Sequence, residues 1–562
     1  MSDKKNNVIL EEYENGFSYK KSKTNLNIEF NRIAFIFFVF LTISMIYSIQ
    51  LFHLGSLKKK ININKSPITK KNYRADIIDR NGNYLVKTVD SINVGIHPAK
   101  VIDKKHLLLM LNHIYKNKNL SRIKKKLDED KFFYLEKNIG PKRYKELMML
   151  GDKSISSEAS LIRLYPQDNL FSHIIGQTDN DNNGISGIEK SFDEELKKID
   201  KPLKLTVDVD IQFLIREELL RFQEIFEAKG SAAILMNVNN GEILSMVSLP
   251  DFNLNKRETI KDVNYINKIT KGTYELGSVF KTFTIASGIN EKLIEPDTEF
   301  LDLKKSVTCG KKHKIEEYDN KMPPNLTVEQ ILVKSGNIGS VRIVRKIGIE
   351  KHKSFLRTIG ILDKIDFDIG EVGKPQSIDW YEGCKLETIA FGHGITTTIL
   401  QLAKGYSIIT NGGYDIKPTL IKKNLDKKNN KKKILKNDVS KKINTILRKV
   451  VSEGTAKLVN VEGYQVGGKT GTAEQVNNSI YSNSKINTLA SIFPTENPKY
   501  VLVVMLESTK NNKDYIYKYR DGSGFELKGS PRNTAGWTSV EAAGKIIDKI
   551  GPILATKYIE IN

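Results

Sequence analysis

Residues 274–289, YELGSVFKTFTIASGI, most restrict how this chain can fold. The run predicts a helix whose Val279, Phe280, Phe283, Ile285, Ala286 and Ile289 fall on nearly every side. A helix apolar all round belongs in a protein interior. Lys281 nevertheless sits in its first turn, where a buried ammonium must be paired or give up its proton. Three residues back, on the same face, is the hydroxyl of Ser278. The positive end of the helix dipole favours an oxyanion there. The stretch thus pairs a nucleophile with an amine able to deprotonate it. The plain alternative is an N-cap serine and a lysine that snorkels to solvent. Ser18–Lys21, Ser56–Lys59 and Ser482–Lys485 share the spacing, but none has an apolar helix behind it.

At 562 residues the chain is too long for one hydrophobic core, so two or more domains are expected. The net charge of +23 comes from Lys and Arg interleaved with Asp and Glu along the whole chain. That pattern describes solvated faces, and no helix-turn-helix, zinc or RNA-binding signature points to nucleic acid. Cys309 and Cys384 show no metal spacing; two free thiols and one disulfide both remain open.

Residues 1–32 are polar and read as a cytoplasmic tail. Residues 33–54, IAFIFFVFLTISMIYSIQLFHL, carry no Asp, Glu, Lys or Arg. They suffice for one bilayer crossing at roughly 20 residues each. The run is longer than a signal-peptide core and lacks a small-x-small cleavage site, which predicts an uncleaved anchor. The basic residues Lys58, Lys59, Lys60, Lys65, Lys70, Lys71 and Arg74 follow it. A positive-inside count would therefore keep the C-terminal side in the cytoplasm, although long translocated domains weaken that rule.

Residues 55–228 read as a Lys/Asn-rich stalk and a mixed pedestal domain. Two short strands flank the Asn81-Gly82 turn, and mostly helical, charged sequence runs to about residue 157. A strand at 205–210 and an amphipathic helix at 211–226 close this part. From 229 to 562 a hairpin about Asn240-Gly241 opens a second domain. Helices fill its middle; strands at 464–476, 488–493 and 500–507 and a helix at 539–553 end it. Strands at both ends with helices between predict an α+β domain whose antiparallel sheet joins the two ends. The Lys-rich run 420–442 reads as an exposed loop with short charged elements.

Two further motifs bear on the chemistry. Ser335-Gly336-Asn337 can aim a hydroxyl and a carboxamide into one cleft from a short loop. Lys469-Thr470-Gly471-Thr472 follows two glycines that permit close backbone approach. Its cation and hydroxyls can receive a carboxylate, and the Thr472 N–H can help hold an oxyanion.

Ser-x-x-Lys, Ser-x-Asn and Lys-Thr-Gly in this order resemble the motif set of penicillin-binding proteins and class A β-lactamases. RADIIDRNGNYLV resembles the pedestal motif of class B penicillin-binding proteins. LTVDVDIQ, NGEILSMVSLPDFNLN, FGHGITTTILQLAKGYSIITNGG, VSEGTAKLV, GGKTGTAE and NTAGWTSVEAAGKII resemble successive landmarks of their transpeptidase domain. The likeness runs from about Arg74 to Pro552. It departs at His393, where the family often has Gln, at Ile399, where it often has Pro, and near Glu541.

The resemblance implies a single-anchor, α+β, division-type peptidoglycan D,D-transpeptidase, with the elongation-type paralogue as second reading. It implies no metal or cofactor. Catalysis falls to Ser278, Lys281, Ser335 and Lys469, and substrate binding to Asn337, Thr470, Gly471 and Thr472. Substrates would be D-Ala-D-Ala stem peptides, with β-lactams as inhibitors. Partners would be division-complex membrane proteins, including a lipid II glycosyltransferase. Because that substrate exists only outside the cytoplasmic membrane, it outweighs the charge count for orientation. A membrane-tethered β-lactamase would need a water-activating base, and Glu371 in GEVGK does not match the expected Glu-x-x-Leu-Asn. A non-catalytic division scaffold is the third expectation.

Overall fold

The computed structural model describes residues 25–56, 73–115, 120–179, 181–199, 201–256, 262–310, 313–423, 432–477 and 480–558. The tail up to residue 24, most of the stalk and residues 424–431 of the Lys-rich run lie outside them. The chain divides into two units, residues 1–71 and 72–562.

The described part of the first unit is helix α1, Asn25–Ser56. It starts ahead of Ile33 because the preceding NLNIEFNR holds no Pro or Gly to stop a helix. Within it, Ala34–His53 is long and apolar enough to cross a membrane, and its side chains are exposed.

The second unit opens with strands β1, Ile77–Ile78, and β2, Tyr84–Ile96, joined through the Asn81-Gly82 turn. The Asp79 carboxylate secures that turn by accepting from the backbone N–H groups of Asn81 and Asn83. Strand β2 runs far past the turn and pairs antiparallel with β3, Phe133–Ile139, and β4, Ile155–Leu164. These two strands correct the mostly helical expectation for the region. Glu136, Lys137 and Glu158 occupy partly or fully exposed positions and break up the apolar pattern, whereas Arg163 is buried against Glu189. Helices Lys104–Ile114, Ser121–Asp128 and Pro141–Met148 cover one face of the sheet, and a small core forms around Val94, Leu107, Leu111 and Leu147. Strand β5, Leu203–Lys204, adds to β1 in parallel. Helix α2, Val209–Ile225, begins where a strand was expected, because Asp208 caps it by accepting from the N–H groups of Asp210 and Ile211.

Arg74 anchors the start of this unit. Wholly buried, it pairs with Glu189 at 2.5 Å and Asp193 at 2.6 Å, and Arg163 meets the same Glu189 at 2.8 Å.

Strands β6, Gly230–Asn237, and β7, Ile243–Leu249, form the expected hairpin. The central helix α3, Phe280–Asn290, is buried from Phe280 to Ile289. A small hairpin then interrupts the expected run of helices: β8, Ser306–Cys309, with β9, His313–Glu316. Its Cys309 forms a disulfide with Cys384, which settles the state of the two cysteines. Helices α4, Val328–Lys334, and α5, Asn337–Ile347, flank Ser335. Helices α6, Ile399–Thr410, and α7, Asn437–Ser452, pack on the core side. Helix α7 takes over the end of the Lys-rich run because Val439, Ile443, Ile446 and Leu447 repeat at helical spacing and are buried.

Strands β10, Gly467–Asn477, β11, Ile480–Phe493, and β12, Tyr500–Glu507, return, and helix α8, Ser539–Lys557, ends the described chain. The sheet order is β10-β11-β12-β6-β7, antiparallel throughout, so it joins the two ends of the domain as expected.

Candidate active site

A cleft of about 1180 Å³ opens along β10, the edge strand of this sheet. Ser278, Ser335, Asn337, Thr470 and Thr472 all line it.

Ser278 lies on a tight turn, Gly277–Val279, directly before α3. Gly277 has φ +60°, and a Cβ there would sit 2.7 Å from the Thr472 carbonyl oxygen. A Cβ on Gly471 would sit 2.1 Å from the Leu276 carbonyl oxygen. Only glycine fits at both places, and the two absent side chains let the Lys-Thr-Gly strand press against the turn that carries Ser278. Tyr406 of α6 steadies the same turn: its hydroxyl donates to the Val279 carbonyl at 2.9 Å.

Lys281 does not snorkel. It is 0% exposed, and its ammonium reaches the Ser335 carbonyl at 2.5 Å, Asn337 Oδ1 at 2.7 Å and Ser335 Oγ at 3.3 Å. Burial pushes its pKa down from 10.5 to about 7, partly opposed by the negative charge of Glu317. Lys469 is equally buried and donates to Ser335 Oγ at 2.9 Å. Burial, then repulsion from Lys281, holds its pKa well below the ordinary value. The Ser335 hydroxyl therefore bridges two amines, each with a stabilised neutral form. Ser335 itself adopts the left-handed conformation, φ 59°, which turns the chain between α4 and α5.

Thr470 Oγ1 shares a hydrogen bond of 2.8 Å with Thr455, and Thr472 Oγ1 accepts from the Ala535 N–H at 3.0 Å. The motif hydroxyls are thereby oriented from VSEGTAKLV and NTAGW, stretches the sequence marks as landmarks without assigning them a role. Glu453, Lys457, Tyr519, Arg532, Asn533 and Trp537 extend the cleft. His393, the departure from the usual Gln, also lines it, and burial with the nearby Lys281 lowers its pKa. Of the other Ser-x-x-Lys pairs, Ser18–Lys21 and Lys59 lie outside the described residues, and Lys485 lines the cleft. Glu371, the β-lactamase candidate, is not among the lining residues.

Sequence reasoning missed Glu317. Its carboxylate accepts from the N–H groups of Asn337 and Ile338, each at 2.8 Å. No motif marks it; the one available cue is its place before the Ser-x-Asn helix.

Among the described residues no group of His, Cys, Asp and Glu side chains is set to hold a metal. The site can perform acyl transfer through a serine, with amine and hydroxyl groups to move the proton.

The penicillin-binding protein transpeptidase domain model matches residues 231–521, and the penicillin-binding protein dimerisation domain model matches 69–218. A probable peptidoglycan D,D-transpeptidase FtsI of Caulobacter vibrioides is 27% identical over 499 residues, covering 86% of this chain and 82% of the relative. The peptidoglycan D,D-transpeptidase FtsI of Buchnera aphidicola is 28% identical, covering 82% and 86%. The crystal structure of penicillin-binding protein 3 of Mycobacterium tuberculosis with aztreonam superposes with a TM-score of 0.65 at 20% identity. It covers 87% of this chain and 97% of that one.

Proposed function

Since this chain belongs to the penicillin-binding protein transpeptidase family, we propose that it is a serine-type, division-type peptidoglycan D,D-transpeptidase that β-lactams acylate. Residues 1–32 are its cytoplasmic tail, 33–54 its anchor, 55–228 its stalk and pedestal, and 229–562 its catalytic domain. The two FtsI relatives support the substrate class and the division type.

Neutral Lys281 takes the Ser278 proton as Ser278 Oγ attacks the penultimate D-Ala carbonyl of a stem peptide. The backbone N–H groups of Ser278 and Thr472 hold the oxyanion. As the intermediate collapses, the C–N bond to terminal D-Ala breaks. Lys469 and Ser335 deliver a proton to the leaving amine, and the 2.9 Å contact between them provides the route. Asn337, Thr470, Gly471 and Thr472 position the peptide and its carboxylate. An amine of a neighbouring stem peptide then attacks the ester and releases Ser278, leaving a crosslink. A β-lactam follows the first half only, opening its ring onto Ser278.

The observation that carries this function is the buried Lys281, with a pKa near 7, one helical turn from Ser278 in the cleft. A labelled penicillin should form one covalent adduct, at Ser278. Peptide mapping that placed it on Ser335 or Ser482 would overturn the assignment.

The catalytic domain works on the outer side of the cytoplasmic membrane, where its substrate lies and where it meets division-complex membrane proteins, including a lipid II glycosyltransferase. The Cys309–Cys384 disulfide supports this side, because disulfides persist in oxidising compartments and are rare in the cytosol. A reporter active only outside the cytoplasm should work when fused after Asn562 and fail when fused before Ile33. The reverse result would vindicate the positive-inside count.

A further inference from the structure

The residue that most directly governs the Ser-x-Asn motif lies outside all three motifs. Glu317 follows β9, and its two carboxylate oxygens each accept one backbone N–H, from Asn337 and Ile338, at 2.8 Å. These are the first two residues of α5, whose N-cap is Gly336, a residue with no side chain to satisfy them. A carboxylate placed there also meets the positive end of the helix dipole. The preceding residue completes the grip: the Glu316 carbonyl accepts from Asn337 Nδ2 at 2.9 Å. With its amide nitrogen engaged on that side, Asn337 presents Oδ1 to Lys281 at 2.7 Å. Two consecutive residues of one hairpin arm therefore set both the main chain and the side-chain orientation of Asn337.

We propose that Glu317 is a positioning residue for acylation, acting through Asn337 to hold the general base Lys281 in place. This rests on the transpeptidase reading above and adds a determinant that none of its motifs contains.

Electrostatics gives Glu317 a second signature. Its negative charge favours the charged form of Lys281 and so opposes the effect of burial. The other charged or titratable groups that face Lys281 are Lys469 on β10 and His393. Lys469 is itself held well below its ordinary pKa, and His393 lies below 6.5. Geometry assigns the acid limb in the acylation rate to Lys281, the amine one helical turn from Ser278. Removing the charge of Glu317 moves that limb to lower pH. Loosening Asn337 lowers the alkaline plateau, where Lys281 is already neutral. A role confined to folding would lower the melting temperature and leave the plateau rate of the folded protein unchanged.

The experiment is the second-order acylation rate by a fluorescent penicillin between pH 5.5 and 9.5, for wild type, Glu317→Gln and Glu317→Ala. Thermal melting checks folding. Glu317→Gln keeps the size of the side chain but loses its charge and one acceptor, so it remains informative if Glu317→Ala does not fold. For Glu317→Gln the plateau should fall roughly 10–100-fold, the scale of a misplaced catalytic group, and the acid limb should move to lower pH. A plateau within about twofold of wild type, or an unmoved limb, would overturn the proposal. Wild type that fails to acylate at Ser278 would instead overturn the transpeptidase reading, so the two failures are distinguishable.

Discussion

Within the 72–562 unit, the lobe built on the small core around Val94 and Leu107 and the core that carries the candidate active site bury different things. The lobe gathers ten buried apolar residues, among them Leu107, Leu111 and Leu147, and its described buried polar set between residues 92 and 155 is Ser154 alone. The catalytic core encloses Lys281 and Lys469 at 0% exposure, with Ser335 at 5% between them. Burying an amine costs free energy whether it keeps its charge or is deprotonated. The lobe is thus packed for stability, whereas the core gives up stability to hold two amines ready to exchange protons. Substitutions in the two regions should separate accordingly.

Ser278→Ala should have the largest effect, a loss of penicillin acylation of about 10⁴-fold or more, with melting unchanged. Gel fluorescence of the labelled adduct reads it; residual labelling within tenfold of wild type would move the nucleophile elsewhere.

Lys281→Arg should come next. A guanidinium offers no accessible neutral form, so acylation should fall by roughly 10²–10⁴, the usual contribution of a general base. Lys469→Arg should be milder, because a guanidinium still meets a carboxylate. Equal losses for the two variants would erase the distinction between the base that activates Ser278 and the cation that, with Ser335, serves the leaving amine and the carboxylate.

In wild type the rate should track the neutral fraction of Lys281, which falls as pH drops through its value of about 7. The plateau above pH 8 should give way to a slope of about tenfold per pH unit below 6. A rate flat from pH 5 to 9 would show that the base is already neutral throughout.

Leu111→Ala in the lobe should show the smallest kinetic effect. It should cost about 2–5 kcal/mol of stability, seen as a lower melting temperature, while the acylation rate of the folded protein stays within about twofold. If acylation fell as well, the lobe would have to be counted as part of the catalytic apparatus.

How far each region was legible follows from the same contrast. Ser278, Ser335 and Lys469 are far apart in the chain, yet their motifs announced the cleft because their chemistry is unusual: a lysine in an apolar helix, glycines before a cation. Structure brings them together in one cleft, and the antiparallel sheet joining the two ends was readable from short apolar strand runs at both ends of the domain. The lobe's strands FYLEKNI and ISSEASLIRL were not, since each earns its place by pairing with β2, dozens of residues away, and their charged residues read as helix surface. Glu317 escaped for a related reason. A carboxylate whose work is to accept two N–H groups from α5, twenty residues further on and beyond another helix, looks, in sequence, like one more solvated charge.

The close contact between the Ser278 turn and the Lys-Thr-Gly strand also limits how this protein can change under selection. Any side chain at Gly277 or Gly471 would collide with backbone, not with a flexible neighbour that could move aside. An organism exposed to an inhibitor of this site therefore has little mutational freedom beside Ser278. Glu453, Lys457 and Arg532 also line the cleft, are exposed, and carry no such backbone constraint. A resistant lineage would be expected to alter those positions first, keeping the acylating centre.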